Sequence, residues 1–285
     1  MGVKIIVDSS VDIKYSYAEE KGLCFIPLKT ILGGVEYRDG IDIVPDEFYA
    51  KLEANKEIAH TSQINAAEFA EVFAEATKDG DEAVAIVLSS GLSGTCQSAR
   101  VAADDFEGKV FVVDSLSATA GARVVLECAI KLRDEGKSAA EIAEELDEVA
   151  KKSQLFLRVD TLEYLKRGGR ISKTSAIVGS LLNIKPVLKL NEEGKLETVG
   201  KARGLKLSHK MMNDSIVACG GIDFTKPVVI TYAGDISDGA VDNYLSDSAE
   251  IFAGHEKEVI IDQLGCVIGT HTGPGAIVVS FIPKA

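Results

Sequence analysis

Over its first 150 residues the chain alternates short apolar runs with amphipathic helical stretches. That alternation restricts it to an α/β fold, a mostly parallel sheet with helices on both faces. Residues 83–88 form one continuous apolar run, the pattern of a strand covered on both faces. Further strands are expected at 3–7 and 110–113, with a hairpin and turn at 36–42. Helices are expected at 66–78, 94–105, 118–135 and 138–151. Asn65 with Glu68, and Ser138 with Glu141, have the spacing of capping boxes that open two of these helices. The texture then changes. Strands are expected at 156–159, 186–190, 196–199, 228–232, 258–262 and 276–281, the second and third pairing about a turn at 191–194. Helices are expected at 161–167, 176–182, 204–219 and 239–252. The expected organisation is two α/β domains, residues 1–155 and 156–285. No Pro/Ser/Gly-rich linker separates them, so they should pack closely.

Charge and cysteine usage exclude several function classes. The net charge is −13. Residues 1–155 hold 16 Lys and Arg against 29 Asp and Glu; residues 156–285 hold 15 of each. An acidic chain of this kind does not bind nucleic acid by bulk charge. Between Lys166 and Lys210, however, 11 basic residues face 3 acidic ones. That stretch can receive an anion or an acidic partner, or it can be a solvated face matched to the acidic half. No apolar run is long enough to span a bilayer, and the N-terminus lacks the apolar core of a secretory signal. Five scattered cysteines show neither disulfide nor zinc spacing, so free thiols, a cytoplasmic location and no metal site are expected. Cys96, near a helix start, is expected to react if that helix end is open to solvent.

Three polar loops are placed at or near strand ends, where ligands collect in open α/β sheets. In His60-Thr61-Ser62-Gln63, Thr61 or Ser62 can itself be a helix cap, but Asn65 with Glu68 already serves that role, which leaves the two hydroxyls freer than usual. Ser89-Ser90-Gly91-Leu92-Ser93-Gly94-Thr95 follows the most buried strand and opens a helix. There the Ser93 hydroxyl and the backbone N–H groups that follow it can face an anion, or simply cap the helix. This loop lacks the lysine and spacing of a nucleotide P-loop and the Gly-x-Ser-x-Gly of a hydrolase elbow. Gly269-Thr270-His271-Thr272-Gly273-Pro274-Gly275 frames a histidine with glycines that let backbone approach a ligand. Arg170, after Gly168-Gly169, offers a planar fork suited to a carboxylate or phosphate; the alternative for it is an interdomain salt bridge.

Taken in order, these pieces resemble the DegV family of bacterial lipid-binding proteins. The resemblance runs through Asp8-Ser9-Ser10 with Asp12, Thr61-Ser62-Gln63, residues 89–99 and Asp114-Ser115. It continues through residues 160–172, Ile184-Lys185-Pro186-Val187-Leu188, Lys201-Ala202-Arg203 and the loop at 269–275. It implies a long-chain fatty acid in a tunnel between or beneath the two domains. The carboxylate would be held by Thr61, Ser62, Ser93, Gly94, Arg170 and His271, with no cofactor. It also implies a partner, a fatty-acid kinase that phosphorylates the bound acid to an acyl phosphate for phospholipid synthesis. It leaves room for transient membrane contact during ligand exchange. Ile64, where proline is frequent, and Val278-Val279-Ser280, in place of a small glycine-containing stretch, depart from the family pattern and bear on the width of the tunnel.

On this reading the protein is a carrier and not an enzyme. A competing class is a hydrolase or acyltransferase acting on a lipid ester, with Ser93 as nucleophile and His271 as base; no Asp is placed by sequence to orient that histidine. A Mg²⁺-dependent phosphotransferase at Asp8-Ser9-Ser10 has too few carboxylates near a phosphate grip.

Overall fold

The computed structural model describes residues 2–54, 59–171, 183–235, 237 and 239–284. Its strands are β1 (Val3–Asp8), β2 (Cys24–Ile26), β3 (Lys29–Leu32), β4 (Val35–Arg38), β5 (His60–Ser62), β6 (Glu82–Val87), β7 (Val110–Asp114), β8 (Gln154–Arg158), β9 (Ile184–Leu190), β10 (Leu196–Arg203), β11 (Val228–Tyr232), β12 (Val259–Gln263) and β13 (Ile277–Phe281). Its α-helices are α1 (Tyr15–Lys21), α2 (Pro45–Ala54), α3 (Ala66–Thr77), α4 (Thr95–Ala103), α5 (Thr119–Asp134), α6 (Ala139–Lys152), α7 (Glu163–Arg167), α8 (Leu205–Ala218), α9 (Ala240–Asp247), α10 (Ala249–Phe252) and α11 (Cys266–Thr272).

The alternation of the first half produces a four-stranded parallel sheet in the order β2-β1-β6-β7. Ala83 through Leu88 are all buried, as an apolar run without polar alternation requires. Both capping boxes form: Glu68 N donates to Asn65 Oδ1 at 3.0 Å, and Ser138 accepts from Glu141 N. The second half builds a six-stranded mixed sheet, β10-β9-β8-β13-β11-β12. Its centre is antiparallel, and β11 and β12 run parallel. The last strand, β13, lies inside this second sheet between β8 and β11.

Several elements differ from the sequence reading. The hairpin at 36–42 is β4 paired to β3, and residues 60–62, read as loop, form β5 on the other side of β3. The loop at 269–275 is half helix, since α11 runs to Thr272. The helix at 94–105 tightens into a 3₁₀ turn after Ala103, and the one at 239–252 breaks at Ser248. The expected helix at 176–182 lies outside the described residues.

The small sheet β4-β3-β5 and helix α11, together with α5, close the space between the two larger sheets. One continuous apolar core joins Ile6, Leu28 and Leu88 of the first half to Leu157, Leu188 and Val278 of the second.

Candidate functional site

A cavity of about 200 Å³ opens in that space. Its wall is mainly aliphatic, including Leu88, Leu155, Leu157, Leu190, Val267 and Val278. Thr61, Ser62, Ser93, Arg170 and His271 line it as well. Five of the six residues singled out by sequence therefore share one cavity. Gly94 does not line it; it stands exposed at the N-cap of α4, with the Gln63 carboxamide packed over it.

Each polar residue is delivered by local structure with its own cause. Thr61 and Ser62 sit on β5, held by pairing with Thr30 and Lys29 of β3. The loop before α4 is pinned from three sides. Leu88 N donates to Asp8 Oδ2 at 2.7 Å, Ser90 N donates to Asp114, and the Ser89 hydroxyl donates to Gly194 O at 2.9 Å. Ser93 Oγ accepts from Thr95 N at 3.2 Å and lies 2.9 Å from Thr95 Oγ1. Ser93 thus stands one residue before the Gly94 N-cap, bonds the first amide of α4, and also lines the cavity. No hydrogen bond joins Ser93 to His271 among the described residues, so the dyad of the hydrolase alternative does not form here.

His271 Nε2 lies 2.9 Å from Thr61 Oγ1, a contact between residues 210 apart in sequence. Its Nδ1 is buried and has no partner among the described residues. The backbone of Gly168 packs against this edge of the ring: a Cβ there would stand 2.1 Å from Nδ1, so only glycine fits. Gly169, at φ +70°, then turns the chain so that Arg170 enters the cavity. Arg170 donates from Nε to Leu92 O at 3.2 Å and from its guanidinium to Gly168 O at 2.6 Å. Both acceptors are carbonyls. Arg170 makes no ion pair among the described residues, and the interdomain salt bridge weighed from sequence is not there. Burial first, then the charges of Arg170 and His60, push the His271 imidazole down to about 4, so the ring is neutral at pH 7.

Sequence reasoning missed Gln63, Thr119 and Thr272, which also line the cavity. Gln63 was legible within its motif. Thr119, held at φ +48° with Oγ1 2.8 Å from Thr231 Oγ1, carried no signal, because a threonine at a helix start reads as ordinary.

Other expectations are corrected. Five basic residues of the 166–210 stretch pair within their own half: Arg167 with Glu163, Lys185 with Asp160, Lys189 with Glu197, Lys195 with Glu193 and Lys210 with Asp214. Lys173 lies outside the described residues. All five cysteines are free. Cys96 is buried, and burial together with Asp114 pushes its thiol up to about 12, so it is not the reactive one its place near a helix start suggested. Ile64 is buried in the core beside the cavity, whereas Val278 forms part of its wall. Among the described residues no cluster of His, Cys, Asp and Glu could hold a metal ion, and no helix is long and apolar enough to cross a membrane.

Comparison with known proteins places this arrangement. A DegV domain-containing protein of Caldanaerobacter subterraneus is 35% identical over 285 residues, covering 99% of each chain. A DegV family protein from Thermus thermophilus, described for its fatty acid binding, superposes with a TM-score of 0.86 at 33% identity, covering 99% of this chain and 100% of that one. A DegV family protein from Eubacterium eligens, loaded with heptadecanoic acid, superposes with a TM-score of 0.84 at 25% identity, covering 99% and 100%. The family model described as an uncharacterised protein of the DegV family matches residues 2–284, and with these relatives it shows that the chain belongs to the DegV family.

Proposed function

We propose that this protein binds a long-chain fatty acid in the cavity, with its carboxylate against Thr61, Ser62, Ser93, Arg170 and His271. It then presents that carboxylate to a separate fatty-acid kinase, and the acyl phosphate formed feeds phospholipid synthesis. One observation carries the binding step. At the polar edge of an aliphatic cavity stands a guanidinium that, among the described residues, is held only by carbonyls and has no counter-charge. The fatty acids described for the Thermus and Eubacterium proteins support the choice of ligand. Burial of the chain supplies the affinity, at about 0.8 kcal/mol per methylene before ordering costs. The polar residues need only fix orientation. A neutral His271 donates from Nε2 to Thr61 Oγ1, which frees the threonine proton for the carboxylate. When Thr95 donates to Ser93, the Ser93 proton is free in the same way. Hydroxyls and one cation hold the carboxylate without burying its lone pairs in a tight ion pair, and it stays available as a nucleophile toward a phosphoryl donor.

Lys166 and Arg167 are exposed on α7, next to the turn that delivers Arg170. They are the expected docking point for an acidic surface of the kinase. Reversing their charge should slow kinase association in a salt-dependent way and leave lipid affinity intact.

The test of the site is a pair of truncations. Ser93→Ala should cost about 1.5–3 kcal/mol of fatty-acid affinity, the scale of a hydrogen bond to a charged group. Thr61→Ala should act on the same carboxylate, so the double mutant should lose less than the sum. Acyl-phosphate formation should fall further than binding, because transfer needs the carboxylate aimed as well as present. Wild-type affinity in the double mutant would sink the assignment. Ester turnover abolished by Ser93→Ala would favour a hydrolase.

A further inference from the structure

We infer that Asp39 is a positioning residue for the headgroup site, acting through helix α11 and touching no ligand itself. The inference rests on the proposed function for its meaning, and on three observations for its geometry.

The first is the seat of α11. Asp39 follows β4 and is buried. Its Oδ1 accepts from Cys266 N at 3.0 Å and its Oδ2 from Val267 N at 3.3 Å. These are the first two residues of α11, whose opening amides have no partner inside the helix. The residue at the N-cap, Gly265, has no side chain to serve them. It has none because a Cβ there would stand 2.6 Å from Asp12 Oδ1 and 3.3 Å from Asp39 Oδ2. The helix start is thus shaped to admit a carboxylate that arrives from more than 200 residues away.

The second is what the helix carries. Val267, Ile268, His271 and Thr272 all line the cavity. At 1.5 Å per residue, α11 is roughly 10 Å long. A tilt at its first turn is passed to the imidazole at its last, where Nε2 must meet Thr61.

The third is that the same carboxylate is tied to the rest of the cavity wall. Ser9 Oγ donates to Asp39 Oδ2 at 3.1 Å and accepts from Leu28 N at 3.1 Å. Leu28 lines the cavity and is followed at once by β3, which pairs with the strand of Thr61. Asp39 therefore holds both partners of the Thr61–His271 contact: His271 through α11, and Thr61 through Ser9, Leu28 and β3.

Asp39→Asn is the informative change. The amide oxygen can still accept from Cys266 N, and Ser9 Oγ can turn to accept from the new NH₂. The Val267 amide then faces a donor and loses its partner. Binding of cis-9-hexadecenoate should weaken about tenfold, the scale of one misplaced hydrogen bond to a charged group. Binding of its methyl ester, which lacks the charge, should stay within about twofold by the same reasoning. The His271 ring ¹⁵N resonances should move, and in the Asp39→Asn/His271→Ala double mutant the acid should bind no worse than in His271→Ala alone. A merely structural role would lower acid and ester together, and that result overturns the inference, as does unchanged acid binding. If the wild-type protein itself shows no preference for acid over ester, the headgroup reading fails. The His271 resonances then decide this inference alone, and unchanged signals in Asp39→Asn refute it. Should Asp39→Asn fail to fold, Ser9→Ala removes one bond to the same oxygen and should shift the acid-to-ester ratio in the same direction; an unmoved ratio counts against the inference.

Discussion

His271 is neutral at a pH where an ordinary imidazole already takes up protons, and this makes part of the protein's stability depend on acid. Its folded-state value is about 4 against 6.5 for an unperturbed ring, lowered by burial and then by Arg170 and His60. Between those values the unfolded chain binds a proton that the native ring refuses. Stability therefore falls as pH drops from about 6.5 toward 4. His209, also depressed by burial, contributes in the same direction. The share of His271 is read by difference: His271→Gln should flatten the dependence of the urea midpoint on pH between 7 and 5. Equal slopes in mutant and wild type would refute the assignment. Most of the site was legible at this scale, because hydroxyls, a histidine and an arginine framed by glycines are chemically conspicuous in a sequence. The reason for Gly168 was not legible. It lies in a ring more than 100 residues away that no local pattern announces.

Elements that carry their own signals are legible in the sequence, and those defined by a distant partner are not. The capping boxes of α3 and α6 are written in four consecutive residues each, and both helices begin where the boxes place them. Ser138→Ala should cost about 1 kcal/mol of stability, the usual value of a cap. It should leave fatty-acid affinity unchanged, since α6 lies on the far side of the first sheet; denaturant titration and ligand binding check the two halves of that statement. By contrast β5 has three residues, too few for any alternation, and exists because β3 supplies its hydrogen bonds. Helix α11 contains glycine and β-branched residues of poor helix propensity. It forms because Asp39 accepts from its first two amides, while Thr270 and Thr272 satisfy their buried hydroxyls on Cys266 O at 2.8 Å and Ile268 O at 3.1 Å. Half of the proposed headgroup site stands on these two elements, so its residues were visible in sequence while their support was not.

For the whole molecule, the alternation of the first half correctly gave its parallel sheet, whereas the mixed order of the second sheet depends on crossovers that local periodicity does not encode. We propose that the chain divides near residue 155 into two units that unfold together. Arg123 on α5 ties them. It is buried, donates to Glu127 at 2.6 Å, lies 3.3 Å from Asp262 on β12, and stacks 4.1 Å from the Tyr17 ring centroid on α1. Arg123→Met leaves two carboxylates without their cation and should cost about 3–5 kcal/mol, as removing one partner of a buried pair does. Scanning calorimetry should show one transition in the wild type at any scan rate; two resolved transitions would refute the joint unfolding. The pairing of Asp39 with Cys266, and of Thr61 with His271, has a further consequence, for the making of the protein. Folding during synthesis proceeds from the N-terminal side, and every strand from β1 to β12 has been translated before residue 266 exists. Through that interval β13, which lies between β8 and β11, is missing as well, so the wall that Val278 completes and the helix that carries His271 are both absent. The cavity is therefore completed only when α11 and β13 dock, and on the proposed function a nascent chain cannot enclose an acyl chain until residues 266–281 are made.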